Sequence, residues 1–123
     1  MPEPSFVLLY VQDPTASSAF YADLLGQPPL EAAPNFALFA LPGGMRLGLW
    51  ARHDVQPPAT TPAGAVELAF TVADVDACHA DWRRRGLEII QPPTRMDFGT
   101  TFLARDPDGH RLRVFRPAAP PAA

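Results

Sequence analysis

Phe6-Val-Leu-Leu-Tyr-Val-Gln-Asp13 and Glu67-Leu-Ala-Phe-Thr-Val-Ala-Asp74 decide the fold. Each is an apolar run closed by an aspartate, and after each comes a helical stretch ending near glycine, at Gly26 and Gly86. Further on, Pro42-Gly-Gly-Met-Arg-Leu-Gly-Leu-Trp50 aligns with Pro107-Asp-Gly-His-Arg-Leu-Arg-Val-Phe115. Two matched blocks in the same order mark an internal repeat. The chain therefore reads as one domain over 1–123, made of two copies of one module. Module 1 covers about 1–52 and module 2 about 65–117. The linker 53–64 between them is rich in Pro, Thr and Ala. The tail 118–123 is expected to fray.

Each module reads as strand, helix, then three strands. Residues 5–12 form the first strand. Asp13 suits the helix N-cap and Pro14 the first helical position, where its missing N–H costs nothing. Ala16, Phe20 and Leu24 recur at helical spacing and are expected to form the inner face. Leu30–Ala33 is a weaker strand, and 35–41 with 45–52 make a hairpin across Pro42-Gly43-Gly44. In module 2, Asp74 caps a helix whose inner face is Val75, Cys78 and Trp82. Strands follow at about 87–91, 100–105 and 110–116.

Strand residues alternate between faces. One face carries Val7, Leu9, Val11, Leu47, Leu49, Leu112 and Val114, all apolar, so it takes the helices. The other mixes Phe6, Leu8, Tyr10, Gly48 and Trp50 with Glu67, Arg111, Arg113 and Phe115. A mixed face of this kind suits a cavity or an interface better than a dry core.

The 123 residues carry a formal net charge of −3 and 47% apolar residues. That balance excludes a disordered chain and argues against a nucleic-acid partner. No apolar run reaches the ~20 residues a membrane span needs, and the start Met-Pro-Glu-Pro-Ser lacks a basic leader. The lone Cys78 forbids an internal disulfide. A cytoplasmic protein without a membrane partner is expected. Cys78 reads as a small buried hydrophobe, and His53, His79 and His110 as structural or solvent-exposed.

The pattern Phe-x-x-x-Tyr-Val-x-Asp, then Ala-Phe-Tyr-x-x-x-Leu-Gly, Asp-Val-Asp-Ala and Arg-Asp-Pro-Asp-Gly-His-x-Leu-Arg-Val-Phe resembles the vicinal oxygen chelate superfamily. That superfamily holds glyoxalase I, extradiol dioxygenases, fosfomycin-resistance enzymes and bleomycin-resistance proteins. The resemblance implies an α+β fold of two βαβββ modules, forming a curled, mostly antiparallel sheet around a cavity. It also implies four metal-ligand positions, which fall on Phe6, Gly48, Glu67 and Arg113. Only Glu67 can ligate a divalent metal, and such a site needs about three protein ligands. No metal, no other cofactor and no catalytic residue is therefore expected.

The closer resemblance is to the metal-free branch, the bleomycin- and phenazine-antibiotic resistance proteins. It rests on Asn35-Phe-Ala-Leu-Phe-Ala, Leu47-Gly-Leu-Trp50 and Asp97-Phe98-Gly-Thr-Thr-Phe. It implies a homodimer that sequesters a planar aromatic small molecule between aromatic side chains. The ligand-binding residues expected from it are Trp50, Phe36, Phe39, Tyr10, Phe6, Glu67, Asp97, Phe98 and Arg113. Only one of Phe36 and Phe39 can share a face with Trp50. Glu67 and Arg113 are expected to pair in the place of the metal, at a cost of roughly 3–5 kcal/mol if one partner is lost from a buried pair. Two other readings stand beside this one. One is a metal-dependent lyase or dioxygenase of the same superfamily with an unconventional site. The other is an interaction protein whose cavity is filled by its own side chains.

Overall fold

The computed structural model describes residues 4–60 and 62–118. Residues 119–123 of the expected tail, and Thr61 of the expected linker, lie outside that description. Contacts divide the chain into two units, Met1–Gly64 and Ala65–Ala123.

Unit 1 contains β1 (Phe6–Val11), α1 (Pro14–Leu25), β2 (Glu31–Ala33), β3 (Phe36–Ala40) and β4 (Arg46–Ala51). Unit 2 contains β5 (Glu67–Thr71), α2 (Val75–Arg84), β6 (Glu88–Met96), β7 (Gly99–Arg105) and β8 (Arg111–Pro117). The sheet orders are β1-β4-β3-β2 and β5-β8-β7-β6. In each, the first strand pairs parallel with the last and the other pairings are antiparallel. The hydrogen bonds thus make two four-stranded sheets, one for each expected βαβββ module, and neither closes into a barrel.

Both helices begin as the sequence requires. Asp13 accepts hydrogen bonds from the Thr15 and Ala16 backbone N–H groups, and Asp74 from that of Ala77. α1 stops at Gly26, whose φ of 68° is left-handed backbone that a side chain would resist. Its inner face differs from the expected one. Pro14, Ser17 and Tyr21 are buried, while Ala16 is exposed. Two helical faces about 100° apart both carry apolar residues here, and Tyr21 fills the space over the sheet better than Ala16 would. α2 keeps its expected face: Val75 and Trp82 are buried and Cys78 is half-buried. Burial pushes the Cys78 thiol pKa up, as suits an unreactive packing residue.

The cores lie between each sheet and its helix. Leu9, Val11, Leu47, Leu49 and Phe39 are buried in unit 1. In unit 2, Trp82 meets Phe70 and Phe102 edge-on at 5.6 and 5.4 Å. His79 packs on Phe102 at 5.2 Å. β6 runs five residues past the expected end at 91, through Pro92 and Pro93. It is an edge strand, and its register shifts between Gln91 and Thr94. The prolines therefore sit where the ladder needs no N–H. Among the described residues no helix is long and apolar enough to cross a membrane.

The β7–β8 turn is held by a buried clasp. The Asp106 carboxylate accepts from the backbone N–H of Asp108 at 2.9 Å and of His110 at 2.8 Å. Its other oxygen lies 2.9 Å from Nδ1 of His110, and both side chains are almost fully buried. Each bond to a buried carboxylate stabilises by about 1–3 kcal/mol net of water. Asp106→Ala should therefore lower the unfolding free energy by about 3 kcal/mol. A urea titration reads this directly; a loss below about 1 kcal/mol contradicts the clasp.

Candidate functional site

The face of each sheet turned away from its helix is where the chemistry lies. In unit 1 the register sets Phe36 opposite Trp50 and Leu38 opposite Gly48. Leu8 and Tyr10 on β1 stand beside Gly48 and Trp50. Tyr10 and Trp50 meet edge-on with centroids 6.3 Å apart. Phe6 is 51% and Leu8 41% exposed. Phe6, Leu8, Phe36 and Trp50 line an open apolar depression of about 490 Å³. That volume lies in the range of small-molecule sites.

Phe39 does not belong to this face. It pairs with Leu47 and is fully buried under α1. Phe36 and Phe39 are three residues apart on one strand, so alternation sends them to opposite sides.

Gly48 shapes the floor. A Cβ there would stand 2.5 Å from Leu8 Cδ2 and 3.1 Å from Phe36 Cζ. Leu8 and Phe36 therefore lie across the backbone of β4 only because this residue has no side chain.

The same face of unit 2 is charged. Arg113 Nε donates to Glu67 Oε2 at 2.9 Å, and its Nη1 donates to Thr101 Oγ1 at 3.2 Å. Arg111 Nη1 stands 3.9 Å from the other Glu67 oxygen. The Arg113 guanidinium carbon lies 5.8 Å from the centre of the Phe98 ring, and Phe98 meets Phe115 edge-on at 5.9 Å. Asp97 stands exposed in the turn before Phe98, outside the ion pair. The expected residues thus fall into two groups: Phe6, Tyr10, Phe36 and Trp50 in unit 1, and Glu67, Asp97, Phe98 and Arg113 in unit 2. Thr101 and Phe115 were not among them. They stand opposite one another across β7 and β8; alternation along β8 places Phe115 on this face without assigning it to the site, and Thr101 follows only from the β7–β8 register.

A model of the glyoxalase/bleomycin resistance protein/dioxygenase superfamily matches residues 4–114. The chain belongs to this superfamily. It is 30% identical over 117 residues to the phenazine antibiotic resistance protein EhpR of Enterobacter agglomerans, covering 90% of this chain and 89% of that one. It is 49% identical to protein ATC0852 from Agrobacterium tumefaciens, known from a solution NMR structure, with a TM-score of 0.86 over 97% of this chain and all of that one. A glyoxalase-related enzyme from Fulvimarina pelagi shares the fold, with a TM-score of 0.79 at 22% identity over 94% of this chain and 88% of its own.

Many members of the superfamily use a metal, but the donor set here does not fit one. Phe6 has no ligand atom, and Gly48 has no room for a side chain that would carry one. The Glu67 carboxylate already meets two guanidiniums. The one cluster of three metal-type side chains among the described residues is Asp106, Asp108 and His110. There the Asp106 carboxylate is spent on the turn.

The Glu67–Arg113 pair is less enclosed than expected, with side chains 39% and 17% exposed. Water screens it, so the estimate for a buried pair overstates its worth. Glu67→Gln should cost about 1 kcal/mol or less in thermal or chemical unfolding; a loss above about 3 kcal/mol means the pair behaves as buried.

Proposed function

We propose that this chain is a non-catalytic, metal-free member of its superfamily that binds and sequesters a planar aromatic small molecule, in a resistance-like role. One observation carries the reading. Phe6, Leu8, Phe36 and Trp50 form an outward sheet face whose lining holds no polar side chain. Soluble proteins seldom leave such a face open without a use for it. Trp50 and Phe36 stand opposite one another on neighbouring strands, and Gly48, by lacking a side chain, lets Leu8 and Phe36 fold over β4 beside them. A flat ring system gains both area burial and about 0.5–1.5 kcal/mol per favourable ring contact there. The likeness to a phenazine resistance protein points the same way. A cytoplasmic location without a nucleic-acid partner is part of the proposal.

The platform reading is tested by titration. A panel of phenazines and quinones should quench indole fluorescence with micromolar midpoints. Trp82 is buried on α2, so the quenching belongs to Trp50. Trp50→Ala should stay folded and weaken binding by at least about tenfold, as calorimetry can measure. Affinity unaltered in Trp50→Ala would falsify the platform.

We further propose that the protein is a homodimer. The exposed Phe6, Leu8 and Leu30 side chains support this reading, since association removes such surface from water. Light scattering at micromolar concentration should give about twice the chain mass of 13.3 kDa. A monomer mass rules the dimer out.

A further inference from the structure

The outward face of unit 2 holds a guanidinium that is fixed but not fully used. Arg113 Nε donates to Glu67, and Nη1 donates to Thr101 Oγ1. Thr101 is itself anchored, because its hydroxyl donates to the Val114 carbonyl at 2.8 Å. A guanidinium has five N–H donors. Among the described residues nothing bonds Nη2, so that end of the fork keeps its donors. The surrounding row carries a surplus of positive charge. Register places Glu88, Arg105, Arg111 and Glu67 side by side across the sheet, with Arg113 one step further along β8. Three guanidiniums face two carboxylates. Arg105 is taken by Glu88 through two bonds of 2.8 and 2.7 Å. Arg111 and Arg113 are left to share Glu67. The Phe98 ring, partly exposed, lies beside Arg113 and against Phe115.

We propose that Arg113 is the recognition residue for the carboxylate of an aromatic acid, whose ring lies along Phe98 and Phe115. A pre-ordered guanidinium with unspent donors matches a carboxylate in charge and in planar geometry. Fixing by Glu67 and Thr101 removes side-chain entropy that binding would otherwise cost. The rings beside it select an aryl acid over an inorganic anion. A divalent cation is refused by the same charge. This assignment stands within unit 2 and does not rest on the ring platform at Trp50.

Calorimetry with 2-naphthoate and 2-naphthamide at low ionic strength tests it. The two probes share a ring system and differ in charge. The acid should bind about tenfold more tightly than the amide, as a charge-assisted hydrogen bond predicts. Arg113→Met should abolish that ratio. Because this change leaves Glu67 with only the more distant Arg111 at 3.9 Å, the double variant Glu67→Gln/Arg113→Met, which removes both charges of the closer pair, serves as the second arm. It too should bind acid and amide alike. Phe98→Ala should weaken both probes together, and Trp50→Ala should leave the ratio as it is. Equal affinities in the parent protein, or a ratio that survives in both Arg113 variants, overturns the assignment. So does a ratio lost in Trp50→Ala, which would move the recognition of charge to unit 1.

Discussion

Everything in each unit follows from the parallel pairing of its first and last strands. Parallel neighbours cannot be joined by a tight turn. The chain leaving β1 or β5 must cross over, and it does so through a helix that covers one face of the sheet. That face becomes the core. The opposite face is left without a cover from its own unit, and its residues are free to carry function. Register then decides identity. Leu9 pairs with Leu49 toward the helix, while Leu8 pairs with Gly48 away from it. A slip of one residue would exchange the two sets and bury the wrong side chains.

The two units use one plan with opposite chemistry, and the difference is a trade of volume between paired positions. In unit 1 the bulky Leu8 on β1 lies against Gly48 on β4. In unit 2 the small Ala69 on β5 lies beside Arg113 on β8. Large against small occurs in both, but in reverse order. Unit 1 thereby presents an apolar floor beneath Trp50 and Phe36. Unit 2 has room for a long cation, which Glu67 and Thr101 then orient. The same trade fills the positions that the resemblance marks for metal ligands with residues that do not fit one. A glycine covered by neighbours and an arginine bound to the remaining carboxylate leave no set of donors.

The clasp at Asp106 shows a different economy. Its aspartate and histidine are types that often mark a reactive site, yet their atoms are used within the turn. What separates a structural pair from a functional one here is the list of bonds already made. Arg113 is the contrasting case, a charged group ordered on one side and unspent on the other.

The repeat, the capping aspartates and the alternation along β1, β4, β5 and β8 were legible in the sequence, because each is a local rule of backbone geometry. So was the placement of Trp50, Glu67 and Arg113 on the outward faces. Three features were not. The inner face of α1 turns on Tyr21 and Ser17 where Ala16 was expected, because several helical stripes were apolar and only packing against the sheet chooses among them. Alternation required Phe36 and Phe39 to part, but which one faces Trp50 depended on the β3–β4 register. The strand expected at about 87–91 runs on through Pro92 and Pro93 to Met96, because an edge strand tolerates them. The sequence by itself determined which residues can share a face, since side-chain period is a property of one strand. Tertiary structure decided which faces are covered and which groups meet, since cross-strand register and volume at paired positions exist only once the strands are side by side.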